Sequence, residues 1–352
     1  KQEIIDEIPE VDAILGTTSY EAVGAAIREV MDGETPEIFE SIDAPVSTAT
    51  ERLITTGGHY AFLKIAEGCD KRCTYCIIPY LRGKYRSVPM EQLVREAEEL
   101  AEKGVKELIL VAQETTLYGK DLYGEKKLPE LLRRLAAVSG IQWIRLQYCY
   151  PEEITDELIE TIKTEEKVCN YLDIQIQHAS DAVLKRMGRR TNNKEIRELI
   201  AKLRREIPDI ALRTTLISGF PGETEEMHRK TLDLLKKVRF DSAYTFIYSP
   251  RKGTPAASME DQIPDDVKHR RLNEIMEVQN QISLEINREQ EGKIVKILVE
   301  GPTRQDENHW FGRTSGNKMV VFPKSEDVAV GDLVRAKIDT AQTWLFKGEI
   351  VR

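Results

Sequence analysis

From Tyr60 onward the chain repeats one pattern six times: a short apolar run of strand character, then a longer stretch of helical periodicity. That repeat limits the fold more than any other feature. Strands are expected over 60–66, 107–112, 143–149, 171–177, 211–218 and 243–248. The helices between them are expected over 89–103, 128–138, 155–163, 182–187 continuing to about 205, and 223–237. Such alternation places parallel strands in one sheet with helices outside it, and six units suit an open barrel, an α/β fold. In parallel barrels the working loops follow the carboxyl ends of the strands, so polar groups at those positions become candidates for chemistry.

The segments on either side of the repeat differ in kind. Residues 1–45 hold a helix over 1–8, a short strand over 11–16 and an amphipathic helix over 20–31, too little for a domain. A polar stretch over 32–58, with Pro36, Pro45 and Gly57-Gly58, reads as a linker. After the repeat, a helix announced by Pro264 runs over 265–291 and is closed by Gly292. Short alternating strands over 293–300, 310–313, 318–322, 332–338 and 344–351 then suggest a small antiparallel β-barrel. The expected divisions are therefore 1–45, 46–263, 264–291 and 292–352.

With 352 residues, 41% of them hydrophobic, the chain can build more than one core. No run reaches the length of a membrane span, which points to a cytoplasmic protein with no membrane partner. A net charge of −9 does not advertise nucleic-acid binding overall, so any RNA contact would be local. Residues 291–352 carry ten Lys and Arg against nine Asp and Glu. There Trp310, Phe311, Arg313, Lys318 and Trp344 could form a mixed aromatic and basic face for RNA, or an ordinary core with a polar rim.

Three of the five cysteines sit on one short loop after the first strand, Cys69-Asp70-Lys71-Arg72-Cys73-Thr74-Tyr75-Cys76. Thiolates this close can converge on one metal centre, and three of them leave one corner of a cubane cluster without a protein ligand. Zinc fits less well, because structural zinc sites take four ligands and no second cysteine pair or neighbouring histidine is present. Cys149 ends a strand and Cys169 precedes one, which suits buried structural residues.

The spacing Cys69, Cys73, Cys76 is similar to the signature of the radical S-adenosylmethionine enzymes. The resemblance implies a partial (β/α)6 barrel and a four-iron four-sulfur cluster on these three cysteines. It also implies S-adenosylmethionine chelating the fourth iron through its amino and carboxylate groups, and one-electron cleavage of the sulfonium to a 5′-deoxyadenosyl radical. Gln113-Glu114-Thr115-Thr116, after strand two, falls where the family places groups that receive the methionine amino end. Gln177-His178-Ala179-Ser180 follows strand four, and Leu216-Ile-Ser-Gly-Phe-Pro-Gly-Glu223 resembles the glycine motif near the adenine. Glu114, Thr115, Gln177, Gly219 and Gly222 are therefore the expected cofactor-binding residues. His178 is open between ligand contact and loop hydrogen bonding.

The order of radical domain, long helix and small barrel resembles the methylthiotransferase family, whose small barrel is the TRAM domain. Residues 1–239 resemble the type that methylthiolates an aspartate of a small-subunit ribosomal protein, through Tyr60-Ala-Phe-Leu-Lys-Ile-Ala-Glu-Gly-Cys69, Gln147-Tyr-Cys-Tyr-Pro151 and Leu172-Asp-Ile-Gln-Ile-Gln-His-Ala-Ser180. Residues 240–352 resemble the type that modifies an isopentenylated adenosine beside the tRNA anticodon, through Asp241-Ser-Ala-Tyr-Thr-Phe-Ile-Tyr-Ser-Pro-Arg-Lys-Gly-Thr-Pro255 and Phe311-Gly-Arg-Thr-Ser-Gly-Asn-Lys318. The mixture suggests a chimera or an unusual natural member. The family also carries three further cysteines in an amino-terminal domain for a second iron–sulfur cluster. No cysteine precedes Cys69, and residues 1–31 resemble the tail of that domain, as in a truncated chain. Implied partners are the ribosomal small-subunit protein first, tRNA second, and an electron donor such as flavodoxin or ferredoxin. A reading from another class is an RNA-binding protein with a structural cluster.

Overall fold

A computed structural model describes residues 2–46 and 52–351; residues 47–51 of the expected linker, with Lys1 and Arg352, lie outside the described residues. The chain opens with α1 (Gln2–Glu7), β1 (Ile14–Leu15), α2 (Val23–Met31) and β2 (Glu37–Ile38). β2 falls inside the stretch expected as linker and pairs in parallel with β1, Ile14 opposite Glu37. Two residues of strand character among polar neighbours are too short a run to stand out in the sequence. Val46 and Ile54, on either side of the undescribed segment, rest against the main core.

The repeat then unfolds as β3 (Tyr60–Lys64), β4 (Ala66–Glu67), α3 (Ile78–Arg82), β5 (Arg86–Ser87), α4 (Met90–Glu102), β6 (Glu107–Val111), α5 (Lys120–Tyr123), α6 (Leu128–Ala136) and β7 (Trp143–Leu146). It continues through α7 (Asp156–Thr164), β8 (Tyr171–Gln177), α8 (Asp181–Arg186), α9 (Asn193–Glu206), β9 (Ala211–Ser218), α10 (Glu225–Val238) and β10 (Ser242–Ile247). The helices cover the sheet through apolar stripes at helical spacing, Met90, Leu93, Ala97 and Leu100 in α4 and Leu128, Leu131, Leu132 and Leu135 in α6.

β3, β6 and β7 pair in parallel, as do β8, β9 and β10. The two halves meet through the bridges Ile144 to Val168 and Cys149 to Ile174, so the strands stand in chain order around one arc. β3 and β10 do not pair with each other, and the barrel stays open between them.

Two expectations inside the repeat need correction. The helix expected over 182–205 is two helices, because Gly188 adopts a positive φ of 73° after α8 and Asn192 caps α9 in a box with Glu195. The third strand stops at Leu146, since Tyr148 turns to φ 58° and gives its N–H to the Asp173 carboxylate at 3.1 Å.

Beyond the barrel, α11 (Asp265–Arg288) packs against α10 and β10. β11 (Ile294–Pro302), β12 (His309–Thr314), β13 (Met319–Pro323), β14 (Leu333–Ala341) and β15 (Leu345–Val351) then close a five-stranded barrel around Ile297, Val299, Val320, Phe322, Ala336, Ile338 and Phe346. This small barrel sits on the amino-terminal ends of the large barrel's strands. Leu298 packs with Trp143, Tyr171 and Ala211, the first residues of β7, β8 and β9. The opposite, carboxyl end is left for the cysteine loop.

Candidate active site

The cysteine loop leaves β4 and returns through β5, and the antiparallel pairs Ala66–Ser87 and Glu67–Arg86 close its base. Gly68 turns the chain at φ 82°, where a Cβ would lie 2.0 Å from the Lys84 carbonyl oxygen, so glycine is required there. The loop is pinned across the mouth: Thr74 donates its N–H to the Met187 carbonyl at 3.0 Å and its hydroxyl to the Arg186 carbonyl at 2.8 Å, and its own carbonyl accepts from Ala256 N–H at 2.9 Å. Tyr75 meets Phe220 edge-on, with ring centroids 6.4 Å apart.

Cys69 and Cys73 are buried and Cys76 is partly buried. Burial pushes the Cys69 thiol up to about 12, and raises that of Cys76 as well, so a bare protein holds these groups protonated. Buried thiols become ligands when a metal displaces their protons, and three soft donors on one pinned loop fit an iron–sulfur cluster. Cys149 and Cys169 are buried apart from this loop, Cys149 in the main core and Cys169 with Trp143, Tyr171 and Leu298 near the small barrel.

Two buried groups with unmet hydrogen-bonding atoms lie beside the loop, a carboxyl and a guanidinium. Glu114 is fully buried after β6; one oxygen accepts from the Thr116 N–H and hydroxyl, while Oε2 has no hydrogen-bond partner and stands 3.9 Å from Lys71 Nζ. Burial lifts its carboxyl to about 8 against the pull of Thr116 and Lys71. Arg189, just after α8, is also buried; Nη2 donates to the Gln175 carbonyl, whereas Nε and Nη1 are without partners. Its guanidinium lies 4.1 Å from the centre of the Tyr150 ring, and the Tyr150 hydroxyl is 4.0 Å from Cys73 Sγ. A buried cation with two free donors costs several kcal/mol unless an anion meets it. Arg189 was missed in the sequence because its lack of a partner is visible only in three dimensions.

Other expected site residues have their polar groups engaged within the chain. Thr115 gives its N–H to the Tyr148 carbonyl at 3.1 Å and its hydroxyl to the Gln147 carbonyl, tying the loop after β6 to the loop after β7. Gln177 ends β8 at φ 69° beyond a register shift, with its amide 3.3 Å from Gln175 Oε1. At Gly219 a Cβ would fall 2.2 Å from Lys268 Cγ, and at Gly222 2.3 Å from Arg186 Nη1. The close approach that excludes a side chain at both glycines is therefore made by the chain's own residues. His178 is a brace: Nδ1 accepts from Ser180 N–H at 2.9 Å and Nε2 faces Glu223 Oε1 at 3.0 Å. Glu223 in turn accepts from Gly219 N–H and from Arg271; against the upward push of burial, His178 first, then these two, hold its carboxyl below the usual range.

The face expected for RNA loses its two cations to internal contacts. Arg313 reaches Glu107 Oε2 at 2.8 Å, pairs with Glu300 and covers the Tyr60 ring, while Lys318 gives its ammonium to the Asp241 carbonyl at 2.8 Å. Trp344 is exposed, and Trp310 is half-buried beneath Lys324.

With this geometry established, likeness to known proteins is informative. A profile described as the Radical SAM superfamily matches residues 63–235, and one described as the TRAM domain matches residues 288–351. The ribosomal protein uS12 methylthiotransferase RimO of Lachnoclostridium phytofermentans is 60% identical over 314 residues, spanning 89% of this chain and 71% of its own. RimO of Acetivibrio thermocellus is 46% identical over 363 residues, 100% of this chain and 80% of its own. RimO of Desulfitobacterium hafniense is 44% identical over 358 residues, 99% and 80%. Among solved structures, the radical S-adenosylmethionine methyltransferase TsrM from Kitasatospora setae, with tryptophan and aza-SAM bound, has a TM-score of 0.52 at 16% identity over 69% of this chain and 52% of that one, a likeness of fold. The chain belongs to the RimO family of radical S-adenosylmethionine methylthiotransferases.

Proposed function

We propose that this protein methylthiolates ribosomal protein uS12, at an aspartate side chain, with Cys69, Cys73 and Cys76 as ligands of a four-iron four-sulfur cluster. The observation that carries the proposal is the pair of buried groups beside the cysteine loop that keep unmet hydrogen-bonding atoms, the Glu114 carboxyl and the Arg189 guanidinium. An α-amino acid is a zwitterion, and Glu114 Oε2, which has no hydrogen-bond partner, suits its ammonium while the free donors of Arg189 suit its carboxylate. When bound, the cluster and S-adenosylmethionine supply one-electron chemistry that removes hydrogen from an unactivated C–H bond, with electrons from a flavodoxin- or ferredoxin-class donor.

The chain's own part is to bind and orient. Glu114 and Arg189 fix the amino-acid end of the cofactor, and Lys71, held at 3.2 Å from Glu152 and also paired with Glu153, keeps the loop against the β7 side. The His178–Glu223–Arg271 brace holds the glycine loop that would lie along the rest of the cofactor. Matches running along the whole of this chain to relatives named for uS12 support one substrate type across both 1–239 and 240–352, so no chimera is needed. The internal engagement of Arg313 and Lys318 weighs further against tRNA. A second iron–sulfur cluster would need ligands other than Cys149 and Cys169, which are buried in the barrel.

The deciding experiment incubates the anaerobically reconstituted enzyme, extended to the full length of its relatives, with uS12 and with tRNA, and reads product mass. A methylthio increment on a uS12 peptide is expected. An increment on tRNA alone overturns the proposal.

A further inference from the structure

The chain carries a net charge of −9, yet the three segments that meet at the cysteine loop carry the opposite sign. Residues 69–86 hold five Lys and Arg against one Asp, residues 181–190 hold four against one Asp, and residues 249–256 hold two with no acid. Cations are thus gathered at one place on an otherwise acidic chain.

The three segments join at Thr74, which bonds the carbonyls of Arg186 and Met187 and the N–H of Ala256. Two exposed glycines leave the outer face of the loop low. At Gly188 a Cβ would stand 3.6 Å from the Arg72 carbonyl oxygen and 3.7 Å from Cys73 Cα, so the backbone of an expected cluster ligand lies directly beneath it. Gly253 lies beside Ile77 in the same way. Around these glycines Arg72, Lys84, Lys185, Arg190 and Arg251 are exposed, and among the described residues none of their charged groups has a partner. Their neighbours Arg186 and Lys252 are paired, with Asp261 and Glu3. Exposed cations on the barrel helices are paired too, Arg133 with Glu157 and Arg270 with Glu225 and Glu274. Like charges left unpaired side by side repel one another, and here they direct a positive field outward from the loop.

We propose that this face, ringed by Arg72, Lys185, Arg190 and Arg251, is the docking surface for an acidic one-electron carrier protein. Resting on the cluster in the function proposed above, it adds where the electron enters. Cys69 and Cys73 are buried, so the electron crosses the loop that covers them. The carrier is oxidised by one electron, the cluster is reduced by one, and no bond forms between the two proteins. A carrier with carboxylates around its own redox centre is the electrostatic complement, and a small patch suffices, because electron-transfer encounters bury little area and rely on steering. Position favours such a carrier over an RNA: the cations are centred on the backbone of a cluster ligand, which matters to an electron and not to a phosphate chain.

The test uses flavodoxin as the acidic carrier and photoreduced deazariboflavin as an uncharged small reductant. Flavodoxin affinity is measured by calorimetry on iron-free and reconstituted protein, and cluster reduction by absorbance in stopped flow. Lys185→Glu with Arg190→Glu, and separately Arg251→Glu, should weaken flavodoxin binding and slow flavodoxin-driven reduction, each by roughly tenfold or more at low salt. Iron content and the rate with deazariboflavin should stay at wild-type values. Added salt should slow the wild type with flavodoxin, a measurement that needs no substitution. Wild-type flavodoxin rates in the variants, a salt-independent rate in the wild type, or equal slowing with both reductants overturns the surface. Loss of uS12 or of a synthetic RNA hairpin with flavodoxin affinity intact overturns it as well, in favour of those occupants. A wild type that reconstitutes no cluster fails the proposed function instead, an outcome visible before any variant is made.

Discussion

At the scale of single residues, the site rests on groups whose ordinary behaviour burial has changed. Cys69→Ala, Cys73→Ala and Cys76→Ala should each remove most of the about four irons that a reconstituted chain holds, whereas Cys149→Ala and Cys169→Ala should not, as iron assay will show. Glu114 gives a pH-dependent test. Its carboxyl ionises near 8, raised by burial, so at neutral pH a proton competes with an incoming ammonium group. Cofactor affinity should rise with pH toward about 8 and then level, with protons released to buffer, and Glu114→Gln should flatten the profile in calorimetry. The sign is opposite for the ligand-free fold: the native state binds this proton more tightly than the unfolded chain, so its stabilisation is lost as pH climbs from 4.5 through about 8. The three cysteines and Glu114 were legible because spacing and strand-end position are sequence properties. Arg189 was not, since Arg190 beside it is the same residue type and only packing separates their roles.

At the scale of elements, what the sequence revealed follows from how each segment is buried. β8 and β9 were expected with their observed limits, because apolar residues recur at alternate positions, Leu172, Ile174 and Ile176 in β8, and nearly every residue of both strands is buried. β2 escaped notice because its two residues carry no periodicity, and the break between α8 and α9 was overlooked although Gly188 and Asn192 are the residues that end and start helices. That break sets Arg189 against the Tyr150 ring and ties Met187 to the cysteine loop. The Asn192 cap anchors the return. Asn192→Ala should therefore cost about 1 kcal/mol in chemical denaturation, read at unchanged slope, and should loosen the loop that carries Arg189.

At the scale of the whole molecule, the small barrel is part of the large one's lower wall. Arg145 and Glu107 are both fully buried and lie 2.6 Å apart, Glu107 also holds Arg313 at 2.8 Å, and Arg145 satisfies the carbonyls at the tip of the hairpin between β12 and β13. Neither charge has water to fall back on, so removing one partner leaves the other uncompensated. Glu107→Ala should destabilise by about 3–5 kcal/mol, whereas Glu107→Leu combined with Arg145→Met should recover a large part of that loss. Because both members of the pair reach into the small barrel, Glu107 to Arg313 and Arg145 to the Thr314 and Ser315 carbonyls, the wild type should unfold in one calorimetric transition spanning both barrels. In Glu107→Ala the small barrel loses the Arg313 contact and the lumen arginine loses its charge partner, so the transition should split, the hairpin end melting first. A single undivided transition in that variant would mean that the apolar contact of Leu298 with Trp143, Tyr171 and Ala211 couples the domains by itself.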